Sequence, residues 1–267
     1  MINYITTLSF EKNHINHVFD RSKFKNLFNI VDYEKIDNHD FDREDIYLLN
    51  CLGSSEMAKF FIKLKDEGKI EKLVLYNSGN VDFLPLSILN RFDLIFYETL
   101  YTYERSYLDQ HKNCFRAFGI NTDIFKNINL EKKFDYILVG SINDYLKRFT
   151  LMTQSVDKES KILMIGDIYT EEDSRKIDNL LDEGYNIEIK NRCSLRELSY
   201  YYNMSKCVLL TQPEYGGGER CLLEAKYCGL DIEILDNIKL SELNEEKIVF
   251  DIDYFTSQID KGLDSIF

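Results

Sequence analysis

The residues best placed to do chemistry lie in PEYGGGERCLLEAKYCG, residues 213–229. Three consecutive glycines, Gly216, Gly217 and Gly218, stand in a chain that has only 12 glycines and 2 prolines. An apolar run ends just before them at Leu210, and Leu222, Leu223, Ala225 and Tyr227 follow with helical spacing up to Gly229, a residue suited to a left-handed cap. The glycines therefore sit where a helix begins, with unpaired backbone N–H groups and the positive end of the dipole directed outward. That combination binds anions, and glycine lets an anion come close to the backbone. Glu219, Arg220 and Glu224 belong to the first turns of the same helix. Two further cations, Lys147 and Arg148, follow Gly140 and Ser141 beyond another apolar run, where they suit either an anion or a solvated helix start.

Strand and helix patterns alternate along the whole chain and would position these groups. Short apolar runs predict strands at Asn3–Thr7, Ile46–Leu49, Leu73–Tyr76, Leu94–Tyr97 and Cys114–Phe118. A second series follows at Tyr136–Val139, Ile162–Ile165, Ile187–Ile189, Val208–Leu210 and Ile232–Leu235. Helical spacing predicts Ser55–Lys65, Tyr101–His111, Glu171–Glu183, Ser194–Met204 and Glu219–Cys228. Alternating β and α with short apolar strands argues for parallel sheets covered by helices, and two series argue for two Rossmann-like halves. The periodicity breaks at GINTDIFKNINLEKK, so the halves are expected over residues 1–124 and 125–267. In such sheets ligands sit beyond the carboxyl ends of the strands.

Composition narrows the function classes. The chain of 267 residues is 44% hydrophobic and 13% aromatic, enough for a sizeable core, and no run approaches the roughly 18 apolar residues of a membrane span. MINYITTLSFEKN has neither the basic start nor the small-residue cleavage site of a signal peptide, and Cys51, Cys114, Cys193, Cys207, Cys221 and Cys228 are scattered without a C-x-x-C, so a cytoplasmic location with reduced thiols is expected. The formal net charge of −13 gives no broad attraction to nucleic acid. It is unevenly spread: residues 1–125 carry 15 basic and 19 acidic side chains and the remainder 18 and 27, and the first half contains the basic-aromatic stretch RSKFK, residues 21–25. His14 and His17 lie in a polar stretch without further Cys or His partners for a metal. Asp251-Ile252-Asp253 imitates a metal-binding D-x-D but stands at an expected strand end near the C-terminus, a setting that does not suit that role.

Five segments in order carry a resemblance: FRAFGINTDIF (115–125), YILVGSINDYLKR (136–148), ILMIGD (162–167), IEIKNRCSLRELSYYYNMSKCVLL (187–210) and EYGGGERCLLEAKYCGLDIEI (214–234). Together they resemble the donor-binding half of retaining glycosyltransferases of the GT-B fold, family 4. The resemblance covers roughly residues 115–235 and implies an α/β fold of two Rossmann-like domains facing across a cleft, with the first half on the acceptor side. It also implies that Tyr254–Phe267, which is amphipathic, crosses back to the first half. The sequence departs from the family's pattern in two places: its earlier glutamate falls on Gly216, and its usual arginine falls on Ser141.

The resemblance implies a metal-independent transferase that takes a sugar from a nucleotide-sugar donor, UDP-linked, with no cofactor. Glycine amides at 216–218, with Lys147, Arg148 and Arg220, would stabilise the departing diphosphate. Glu224 would accept hydrogen bonds from ribose hydroxyls and Glu219 would touch the donor sugar. Gly140 and Ser141 would line the phosphate side, and Asn191, Arg192 and Cys193 would meet the nucleobase. Retention by front-face attack, with the leaving phosphate taking the acceptor's proton, requires no dedicated base. The acceptor is left open among a glycan, a small molecule, a protein and a hydroxymethylated base in phage DNA. Gly216 and Ser141 motivate the alternative of a degenerate transferase that binds a nucleotide or glycan without turnover.

Overall fold

The computed structural model describes residues 1–6, 15–50, 55–77, 84–213 and 219–267. The chain divides into two compact units, Met1–Gly119 together with Val249–Phe267, and Ile120–Ile248.

In the first unit the elements run β1 (Ile2–Thr6), α1 (Ile15–Arg21), β2 (Phe28–Asp32), β3 (Ile46–Asn50), α2 (Ser55–Asp66), β4 (Lys72–Asn77), α3 (Leu86–Leu89), β5 (Leu94–Tyr97), α4 (Leu100–Arg105) and β6 (Cys114–Arg116). The strands form one sheet in the order β2-β1-β3-β4-β5-β6, and every pairing is parallel. Both faces of the sheet are covered, which is why its inner strands read as continuous apolar runs rather than alternating ones. On one face Ile5, Tyr47, Leu49, Leu73, Leu75 and Ile95 pack against Met57, Ala58, Phe61 and Leu64 of α2. On the other, Tyr4, Leu48, Val74, Tyr76 and Phe96 meet Val18 and Phe19 of α1.

The second unit runs β7 (Phe134–Val139), α5 (Asp144–Lys147), β8 (Lys161–Ile165), α6 (Glu171–Asp182), β9 (Asn186–Lys190), α7 (Leu195–Asn203), β10 (Ser205–Leu210), α8 (Glu219–Tyr227), β11 (Asp231–Ile234) and α9 (Ile238–Glu245). Its five strands are ordered β11-β10-β7-β8-β9, again all parallel. Local chemistry starts the helices: Thr170 caps α6, and Ser194 with Glu197 forms a reciprocal capping box on α7. The last helix, α10 (Ile252–Asp264), lies in the first unit. Ile252, Phe255, Ile259 and Leu263 recur along one face of α10 and join the cluster of Tyr4, Tyr76 and Phe96.

Four local expectations change. Phe28–Asp32 is a strand with no apolar run behind it: it is an edge strand, and of FNIVD only Val31 is buried. The stretch after the first strand contains α1, which begins at Ile15. The helix expected over Tyr101–His111 stops at Arg105, because Tyr107 turns left-handed at φ 52° and a single 3-10 turn follows. Asp251 stands at a helix start rather than a strand end: its carboxylate caps α10 through the Tyr254 amide, while Asp253 pairs with Arg21.

Candidate active site

The strand order of the second unit decides where a ligand would bind. From β7 the chain adds β8 and β9 on one side, then β10 and β11 on the other, so the order reverses between β7 and β10. Loops leaving the carboxyl ends of two such strands diverge and open a crevice. Among the described residues those segments are 140–143, after β7, and 211–213, after β10. A small cavity at this point is lined by Gly140, Ser141, Ile142, Lys147, Phe149, Thr211 and Gln212, among others.

Gly140 is built into the crevice by its conformation. At φ +129° it occupies a region that side chains rarely enter, and a methyl group placed on it would come within 2.9 Å of Lys147 Cε and 3.5 Å of Lys147 Nζ. The Lys147 side chain therefore crosses directly over the Gly140 backbone. Gly166, at the end of β8, has φ +159°, and a methyl there would overlap the Gly140 carbonyl oxygen. The two glycines let adjacent strand ends come into backbone contact, and Gly140 N–H donates to Ile165 O at 3.0 Å.

Hydrogen bonds hold the short helix α5, which ends at Lys147. The Thr211 hydroxyl donates to Lys147 O at 2.5 Å, tying the end of α5 to the segment after β10. Asp173, buried on α6, accepts from Asn143 Nδ2, the Asp144 amide and the Thr170 hydroxyl. Asp144 accepts from the Thr150 amide and hydroxyl and from Lys176; burial pulls its carboxyl up, but these bonds outweigh burial and hold it below the usual carboxylate range. Among the described residues no carboxylate lies within ion-pair reach of Lys147. Arg148, left-handed at φ 48°, is paired with Asp236 at 3.2 Å across to the loop after β11.

Glu224 projects from α8 into the unit's interior, only 4% exposed, and its Oε2 accepts from the Tyr202 hydroxyl at 2.9 Å. Burial, with Glu224 beside it, pushes the Tyr202 phenol well above its ordinary value. Tyr202 is itself held edge-on by Phe125, with ring centroids 6.1 Å apart. Phe125 belongs to a segment laced to α7: Ser199 Oγ donates to Ile124 O, Asn203 Nδ2 to Lys126 O, and the Ile128 amide to Asn203 Oδ1. Asn191, Arg192 and Cys193 lie together after β9. Arg192 is anchored to Asp167 by its amide and, at 3.7 Å, by its guanidinium, while burial pushes the Cys193 thiol up.

The structure thus brings Gly140, Ser141 and, at the end of α5, Lys147 and Arg148 to one edge of the sheet, with Asn191–Cys193 after β9 on the same edge. Arg220 is half-buried at the start of α8. Gly216, Gly217, Gly218, the side chains of His17 and Glu219, and the two segments holding His14 and Cys51 lie outside the described residues. Sequence reasoning passed over Tyr202, Thr211, Asp173 and Asp236. Of these only Thr211 carried a signal, as the first polar residue after a strand that runs into the glycine loop. Among the described residues no three His, Cys, Asp or Glu side chains converge to hold a metal ion, and no helix is long and apolar enough to cross a membrane.

Compared with models of known protein families, the chain matches none, and no curated protein matches it in sequence. Solved structures match it over its full length. HepE of Anabaena, in complex with UDP and glucose, superposes with a TM-score of 0.68 at 11% identity over 99% of both chains. The fold is GT-B. The lipopolysaccharide outer core galactosyltransferase WaaB shares it with a TM-score of 0.63 at 11% identity, over 99% of this chain and 90% of that one. The pneumococcal O-GlcNAc transferase GtfA, in complex with UDP and GlcNAc, shares it at 0.58 and 13% identity, over 87% of this chain and 53% of that one.

Proposed function

We propose that the chain is a glycosyltransferase that moves a sugar from a UDP-linked donor to an acceptor hydroxyl, with retention and without a metal. The observation that carries the reading is the Lys147 ammonium lying over the Gly140 backbone at the point where the strand order reverses. A diphosphate leaving group acquires negative charge as the bond to the sugar breaks, and fixed cations and amides stabilise it without reorganising. Lys147 and Arg148 serve as the cations, with Arg220 and the amides of Gly216, Gly217 and Gly218 at the start of α8. Glu224, held by Tyr202, takes the ribose hydroxyls, and Asn191–Cys193 border the base. Glu219 contacts the donor sugar, and Gly140 and Ser141 line the phosphate side. The C1–oxygen bond to the diphosphate breaks as the acceptor oxygen bonds to C1 on the same face, and the acceptor's proton passes to a phosphate oxygen of the leaving group. The UDP complexes of HepE and GtfA support UDP as the nucleotide.

A thermal-shift comparison of UDP, GDP and ADP, each with EDTA present, tests the reading. A ligand that binds only the folded state stabilises it by about 2.7 kcal/mol at a hundred times its dissociation constant. UDP should give the largest shift, unchanged by EDTA, and Glu224→Ala should weaken it about 10- to 150-fold, the equivalent of about 1.5–3 kcal/mol. Failure of all three nucleotides to stabilise the protein would overturn the proposal. The substitutions at Gly216 and Ser141 favour one second reading, a binding module without turnover. Slow hydrolysis of a bound UDP-sugar separates the two, since a module would show none.

A further inference from the structure

We infer that Asp236 is a built-in counter-anion that competes with the diphosphate for Arg148, loosening the hold on the nucleotide and helping it leave. The inference rests on the reading of Lys147 and Arg148 as the cations of the diphosphate. The two are neighbours in the chain but differ in their company. Lys147 has no carboxylate within ion-pair reach among the described residues, whereas Arg148 Nη1 donates to Asp236 Oδ2 at 3.2 Å. Asp236 arrives from 88 positions down the chain, and its side chain is 78% exposed. An exposed pair joined by one contact is weak. A diphosphate brings more charge than a single carboxylate, so it displaces Asp236 when it binds.

The backbones that carry the pair are fixed. The Leu235 amide donates to Leu210 O at 2.9 Å, the Thr211 hydroxyl donates to Lys147 O at 2.5 Å, and Asn237 Nδ2 donates to Gln212 O at 2.7 Å. Residues 210–212 thus hold both chain neighbours of Asp236 and the residue before Arg148. Asn237 is 4% exposed and its Oδ1 also accepts from the Leu240 amide, so the turn at Asp236 is anchored from inside. Among the described residues only four other than glycine have positive φ, and Arg148 at 48° and Asp236 at 54° are two of them. Aspartate is enriched in the left-handed region and arginine is not; such a conformation persists where its surroundings enforce it.

Electrostatics sets the consequence. Asp236 stabilises the guanidinium in the empty site. Once the diphosphate binds, Asp236 loses its partner and leaves a negative charge near the phosphates. Both effects oppose binding and favour departure of the nucleotide after transfer, a step that limits turnover in many enzymes.

Titration calorimetry with UDP, EDTA present, on the native protein, Asp236→Asn, Arg148→Gln and the double variant tests the inference. Asparagine keeps the shape and tolerates the left-handed backbone, so only the charge is removed. Asp236→Asn should tighten UDP about two- to fivefold at about 50 mM NaCl, and the gain should fade at about 500 mM, where salt screens the pair. Asp236→Glu, which keeps the charge, should bind UDP as the native protein does. In the Arg148→Gln background the gain should vanish, because nothing is left to compete for. Pyrophosphate is a second probe that needs no contact to base or ribose, and the substitutions should act on it in the same way. Weaker or unchanged binding by Asp236→Asn, in a variant whose melting curve shows it folded, would overturn the inference, as would an equal gain with and without Arg148. Should the native protein bind pyrophosphate but not UDP, the UDP reading fails and the pyrophosphate titrations decide the role of Asp236. Binding of neither would overturn both.

Discussion

Replacing Tyr202 by Phe isolates one oxygen atom in the interior of the second unit. The ring stays against Phe125, and only the hydroxyl that donates to Glu224 Oε2 at 2.9 Å disappears. Both residues are buried, so solvent does not replace the lost donor, and a hydrogen bond to a charged group contributes about 1.5–3 kcal/mol. The unit from Ile120 to Ile248 has about 130 residues. At ~2.1 cal/mol/K per residue its unfolding entropy is about 270 cal/mol/K, so its melting temperature should fall by about 5–11 °C. The first unit's transition should not move, which makes calorimetry with separately followed transitions the right assay. Function adds a second reading of the same bond. If Tyr202 orients Glu224 toward ribose, Tyr202→Phe should also weaken UDP, and should do so much less in a Glu224→Gln background. A double-mutant cycle measures that coupling directly. A melting shift below about 2 °C, or additivity within about 0.5 kcal/mol, would refute the claim that this bond holds the carboxylate in place.

Asn203 offers a test that is independent of function. It is fully buried and bonds to the 126–128 segment through both ends of its amide, so Asn203→Ala should destabilise the second unit by at least about 2 kcal/mol and speed hydrogen exchange at the Ile128 amide. Alkaline pH provides another. Burial pushes the Cys207 and Cys228 thiols up to about 11 from 9.0, so between these values the unfolded chain releases protons that the folded chain keeps. Stability should be full below pH 9 and fall as pH rises towards 11, with a shallower slope in Cys228→Ala, measured by urea denaturation at each pH.

Much of the scaffold is legible in the residues themselves. Parallel strands buried on both faces need unbroken apolar side chains, so YILV, ILMI and CVLL announce themselves, and Phe28–Asp32 does not because an edge strand buries little. The helix that starts at Glu219 was expected from the spacing of Leu222, Leu223 and Ala225, and Gly140 and Gly166 mark strand ends where backbone geometry excludes side chains. The glycine loop and its cations could be named as an anion site on local grounds alone, since helix dipoles and glycine freedom are properties of a few consecutive residues.

What local pattern leaves open is which distant residues meet. In the run Tyr200-Tyr201-Tyr202 nothing in the residue types says which phenol is buried; packing of α7 against α8 and Phe125 selects Tyr202 and lets its hydroxyl donate a hydrogen bond to Glu224, 22 positions away. Arg148 reads as an anion ligand in the sequence, yet folding places Asp236 within 3.2 Å of it from 88 positions down the chain. The order of strands, reversing between β1 and β3 and again between β7 and β10, is likewise invisible in strands that all read alike. Periodicity reports which face of an element is buried, because that depends on neighbours three or four residues away. Partners and strand order depend on how those faces assemble, and only the tertiary structure decides them.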